Sequence, residues 1–154
     1  MKIAIGADHR GAQAAQQLAE KLKAEGHEVA VVGGGDGAPC DYPERAYEVG
    51  NRVSSGAVEA GVLICGTGIG MSIAANKIRG VRAAVVHDEL TAELSRTHNN
   101  ANVVCLSADL LGQRIMEKIV ESFITSSFQG GRHERRLRKI ALIEQGENPA
   151  TLVE

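Results

Sequence analysis

Val62-Leu63-Ile64-Cys65-Gly66-Thr67-Gly68-Ile69-Gly70-Met71-Ser72 is the stretch whose reading decides the fold. Its apolar start, with Val and Ile, reads as a strand buried on both faces, as inside a parallel sheet. The run ends in Cys65, and three glycines among residues 66–70 permit a sharp turn that presents backbone N–H groups. Residues 71–77 then supply good helix formers, which puts the turn at a helix N-terminus. Unpaired N–H groups and the helix dipole both favour negative charge there. The segment reads as a thiolate with its own oxyanion-binding loop.

Outward from it, strand and helix alternate along the whole chain. Strands are expected over 3–7, 28–32, 61–65, 82–86 and 102–106. Helices are expected over 12–25, 43–55, 71–78, about 89–98, 110–125 and 132–144, with Asp41 and Asp88 as N-caps. Such alternation calls for an α/β fold, a five-stranded, mostly parallel sheet with helices on both faces. Ligands in these folds gather beyond the carboxyl ends of the strands. The residues to examine are therefore Asp8-His9-Arg10, the 33–37 glycine loop, Cys65 to Gly70, His87-Asp88 and Ser107-Ala108-Asp109. One domain is expected over 1–145, followed by a short tail over 146–154.

Composition narrows the class. With 154 residues and 44% hydrophobic content, one domain can bury a core, and 3% aromatics leave that core to Val, Ile, Leu and Ala. A net charge of −2 gives no general reason to bind nucleic acid or an acidic membrane surface, although basic residues concentrate between Arg132 and Lys139. No stretch approaches the ~20 apolar residues of a membrane span, and the start of the chain does not read as a signal peptide. The three cysteines, Cys40, Cys65 and Cys105, form no CxxC pair. Neither a disulfide framework nor a cysteine zinc site is expected, and a reducing cytoplasm fits.

Cys65 carries two readings. Free cysteine is commonly a small buried hydrophobe, whereas a thiol at a helix N-terminus titrates below its usual ~8.5 and serves as nucleophile or base. A dinucleotide fingerprint would need glycine where Met71 stands, and a cysteine-phosphatase loop would need arginine at that same position. A third reading has the loop amides hold an enolate or enediolate oxygen while Cys65 moves a proton. Cys105 reads as inert core. Asp8-His9-Arg10 reads either as a solvated turn capped by Asp8 or as part of a site. His98 is either a partner of its helix dipole or a proton donor. Arg132 and Arg136, four apart, share a helix face and could clamp a phosphate, or simply face solvent.

Taken in order, several segments resemble one family. They are 6–11 (Gly-Ala-Asp-His-Arg-Gly), Asp41-Tyr42-Pro43, 65–77, 95–103 (around His98-Asn99-Asn100) and Gly131-Arg132-His133. Across residues 1–145 the chain resembles ribose-5-phosphate isomerase type B, whose wider family includes allose-6-phosphate and galactose-6-phosphate isomerases. The resemblance implies a Rossmann-like three-layer α/β/α sandwich and a metal-free, cofactor-free aldose–ketose isomerase. It also implies a homodimer, sometimes paired into a tetramer, with sites shared between subunits.

On this resemblance Cys65 is the base between C1 and C2, Thr67 supports proton transfer, and His98 assists ring opening with Asp8 nearby. Gly66, Thr67, Gly68, Ile69 and Gly70 hold the enediolate oxygen. Tyr42 and Asn99 contact sugar hydroxyls, and His9, Arg132 and Arg136 grip the phosphate. The substrate is a small sugar phosphate, with ribose 5-phosphate and ribulose 5-phosphate as the expected pair. Another sugar phosphate is the closest alternative, and a non-catalytic sugar-phosphate or nucleotide binding module the next. One position departs from the pattern. Asp109 stands where the family carries a phosphate-binding arginine, so a carboxylate is expected to repel phosphate there, with Arg114 the nearest substitute.

Overall fold

The computed structural model describes residues 1–33 and 39–152. Five parallel strands form one sheet: β1 (Lys2–Ala7), β2 (Glu28–Val32), β3 (Ala60–Cys65), β4 (Ala83–Val85) and β5 (Val103–Ser107). Their order is β2-β1-β3-β5-β4. Six α-helices connect and cover them: α1 (Ala12–Ala24), α2 (Tyr42–Ser54), α3 (Ile69–Ala75), α4 (Glu89–Asn99), α5 (Gln113–Thr125) and α6 (Arg132–Glu144).

Alternation along each strand splits the core in two. Ile3, Ile5, Val62, Ile64, Val104 and Leu106 face one side, packing against Leu18 and Leu22 of α1 and Ile119 and Phe123 of α5. Ala4, Leu63, Cys65, Val103 and Cys105 face the other, against Val49 of α2 and Met71 and Ala75 of α3. This is the expected three-layer sandwich. β3 is buried at every residue because β1 and β5 flank it and helices cover both its faces.

The differences from expectation are local. α3 begins at Ile69, not Met71, because Gly68 adopts φ 77° and starts the helix from a left-handed turn. α5 begins at Gln113 because Ser107 captures the preceding turn, accepting from Leu110 N–H at 3.0 Å through its hydroxyl and from Leu111 N–H at 3.2 Å through its carbonyl. Asp88 caps α4, accepting from Thr91 N–H at 2.7 Å. Asp41 occupies the N-cap position of α2 without making a side-chain bond to it. The tail carries a short 3₁₀ turn, Pro149–Thr151, closed by Asn148. Most of the 33–37 glycine loop lies outside the described residues, and no helix among them is long and apolar enough to cross a membrane.

Candidate active site

The chain leaves β1 toward β2 on one side of the sheet and leaves β3 toward β4 on the other. This switch opens a crevice beyond their carboxyl ends, where α/β folds bind ligands. Asp8 sits there, 7% exposed, and its Oδ1 accepts from the N–H groups of Arg10 (2.9 Å) and Gly11 (3.1 Å). It therefore braces the turn before α1, in place of the solvated cap. Its own N–H donates to Ile64 carbonyl at 3.2 Å, tying the turn to β3. His9 is exposed and lines a cavity of about 400 Å³ with Pro39, Cys40, Asp41 and Glu44.

Cys65 ends β3 beside this turn and is 4% exposed. Gly68 N–H donates to its Sγ at 3.1 Å, so a loop amide anchors the sulfur. A side chain at Gly68 would meet both its positive φ and the Leu106 carbonyl, 3.2 Å from any Cβ. Thr67 Oγ1 accepts from Ile69 N–H at 3.3 Å. The ring of Tyr42 lies against Gly70, where a Cβ would fall 2.5 Å from Cζ. From the other flank, Ala108 N–H donates to Cys65 carbonyl (2.8 Å) and Ser107 Oγ–H to Gly66 carbonyl (2.6 Å). Turns after β1, β3 and β5 thus form one continuous rim.

Asp109 belongs to that rim, but its charge is not left bare. Arg10 donates to Asp109 Oδ1 from Nε (2.9 Å) and Nη2 (2.7 Å). The carboxylate raises the arginine's pKa, chiefly through these hydrogen bonds. The guanidinium beside Asp109 therefore comes from the turn after β1, and not from Arg114 on α5.

His98 and Asn99 lie at the opposite end of the sheet. α4 follows a parallel strand and must run back toward the amino ends, so its last turn sits below Val103. Cys65 pairs with Ser107 at the far end of β5, four residue steps away, or about 13 Å at a strand's rise. The first turn of α6 joins His98 there: Gln129 N–H donates to Thr97 carbonyl at 3.0 Å, and His133 stacks on His98 at 4.2 Å between ring centroids with 9° between planes. Arg132 and Arg136 are exposed beside them, without an ion pair among the described residues.

Within one chain the expected site residues thus fall into two separate groups. Asp8, His9, Tyr42 and the residues from Cys65 to Gly70 form the first, and His98, Asn99, Arg132 and Arg136 the second. Asp8 is not near His98 within the chain. Sequence reasoning quoted His133 within the Gly131-Arg132-His133 segment without giving it a role, and the structure adds that it is buried on α6's first turn. Burial, then the charges of His98, Arg132 and Arg136, hold the His133 pKa below its ordinary value. Burial pushes the Cys105 thiol well up, as suits an inert core residue.

A doubly covered parallel sheet with a cysteine-bearing glycine loop at its switch point defines a class that comparison makes specific. Residues 3–140 match the Ribose/Galactose Isomerase family, and the chain belongs to it. It is accordingly an isomerase. The chain is 40% identical to ribose-5-phosphate isomerase B of Escherichia coli, over 96% of this chain and 99% of that protein. Among solved structures, ribose-5-phosphate isomerase B of Clostridium thermocellum superposes with a TM-score of 0.93 at 42% identity, covering 95% of this chain and 99% of the other. The Mycoplasma genitalium enzyme, solved with bound ribulose 5-phosphate, gives 0.89 at 42% identity over 94% and 96% of the two chains.

Proposed function

We propose that the protein interconverts ribose 5-phosphate and ribulose 5-phosphate through an enediolate, at sites each built from two copies of the chain. The observation that carries this is the Cys65 loop: a sulfur fixed by one loop amide, with further backbone N–H groups beside it. Cys65, as thiolate, takes the C2 proton of the open-chain aldose. Electrons from the broken C–H bond form the C1–C2 double bond, and the carbonyl oxygen becomes the enediolate oxygen. Loop amides between Gly66 and Gly70 other than those of Gly68 and Ile69, whose N–H groups are already bonded, hold that developing charge, where one fixed donor contributes about 3 kcal/mol at the transition state. Proton transfer between the two oxygens, with Thr67 in support, and return of the sulfur's proton to C1 complete the ketose. No cofactor enters the scheme.

His98 of a second copy opens the furanose ring, and Asn99 with Arg132 and Arg136 of that copy holds hydroxyls and phosphate. Tyr42 and His9 of the first copy close the other side. The separation of the half-sites supports a dimer, because an imidazole must come within about 3 Å of the proton it moves. So does the apolar surface beside edge strand β4, where Ile140 (45% exposed) and Ile143 (60% exposed) border a cavity of about 430 Å³. Three free cysteines fit a reducing, cytoplasmic compartment.

Steady-state conversion of ribose 5-phosphate by wild type and Cys65→Ala is the test. Turnover should fall at least ~1,000-fold in the variant while substrate still binds. Wild-type protein that is folded and dimeric yet more active on allose 6-phosphate or galactose 6-phosphate would reassign the sugar.

A further inference from the structure

The Arg10–Asp109 pair has no part in the proton transfer just described, and exposed ion pairs add little to stability. Its position gives it a use. β3 lies between β1 and β5, and the two side chains rise from the turns that follow those flanking strands. The pair therefore straps across the Cys65 loop at Gly66. A methyl group placed on Gly66 would lie 3.0 Å from Asp109 Oδ2 and 3.3 Å from Arg10 Nε.

Both ends are fastened from below. Arg10 N–H donates to Asp8 Oδ1 at 2.9 Å, and Asp109 N–H donates to Gly66 carbonyl at 3.1 Å. Both guanidinium donors that reach Asp109 use Oδ1. Oδ2 accepts no hydrogen bond among the described residues and faces the loop. An oriented, charge-compensated carboxylate oxygen suits a hydroxyl donor and rejects a phosphate.

We propose that Asp109, positioned by Arg10, accepts a hydrogen bond from a hydroxyl of the open-chain sugar beside the Cys65 loop and so reads the sugar's hydroxyl pattern. The assignment rests on the isomerase reading above. Arg10 also offsets the carboxylate's charge, so the sugar's phosphate is not driven from the crevice.

The test compares kcat/KM for ribulose 5-phosphate, which stays open-chain, and its 3-deoxy and 4-deoxy analogues in wild type, Asp109→Ala, Asp109→Asn and Arg10→Ala, with thermal midpoints alongside. Wild type should lose about tenfold or more on one deoxy analogue, the worth of a hydrogen bond to a charged group. Asp109→Ala should lose a similar factor on ribulose 5-phosphate and cease to distinguish it from that analogue. Asp109→Asn and Arg10→Ala should fall between, and every midpoint should stay within about 3 °C of wild type. An active wild type whose variants keep both its rate and its discrimination overturns the assignment alone. A wild type inactive on ribose 5-phosphate overturns the isomerase reading and this assignment together.

Discussion

Gly70 and Tyr42 show how little room single residues have at the rim. The tyrosine ring occupies the space a Cβ would take at Gly70. Gly70→Ala therefore displaces the ring from the rim without disturbing the strands. Steady-state kinetics should show KM raised roughly 3–10-fold with kcat nearly kept, the pattern of lost uniform binding; an unchanged KM would mean Tyr42 does not touch substrate. The motif itself was plain in the sequence, because glycines after an apolar run announce a loop with exposed amides. What pins the loop was not: Ser107 and Asp109 reach it from a strand that follows some forty residues later. Cys105 marks the contrast, sharing Cys65's face of the sheet yet closed in by its neighbours.

At the scale of elements, α4 and α6 meet through His98 and His133. His133 has a folded pKa below the ordinary 6.5, from burial first and then from His98, Arg132 and Arg136. Beneath 6.5 the unfolded chain takes up a proton that the folded chain resists. Stability should therefore fall as pH drops from 6.5 toward the folded value, and this contribution should level off below it. Thermal midpoints between pH 7.5 and 5 should show the decline in wild type and a flatter profile in His133→Gln. Equal slopes would remove His133 from the account. Asp88, whose pKa is lowered mainly by the Thr91 backbone hydrogen bond, acts in a separate window below 3.8. Element types and their order followed from periodicity and turn residues. Helix starts moved by two or three residues wherever a side chain or a left-handed glycine captured the turn, as at Ser107 and Gly68.

For the whole molecule, the decisive property is that the two groups of expected site residues lie at opposite ends of one sheet. A helix that follows a parallel strand must return, so the end of α4 could be placed at the amino edge from the strand–helix order alone. The pairing order β2-β1-β3-β5-β4 was beyond such reading, because alternation shows which faces are buried and not which strands are neighbours. Two copies related by a two-fold axis can each bring the His98 end of one chain to the Cys65 end of the other. The direct measurement is activity after Cys65→Ala and His98→Asn chains, each expected to be inactive alone, are unfolded together and refolded as a mixture. A mixed dimer then holds one site with both defects and one with none, so random pairing should restore about a quarter of wild-type turnover. A refolded mixture, shown to contain mixed dimers, that stays as inactive as its parents would contradict a site shared between two chains.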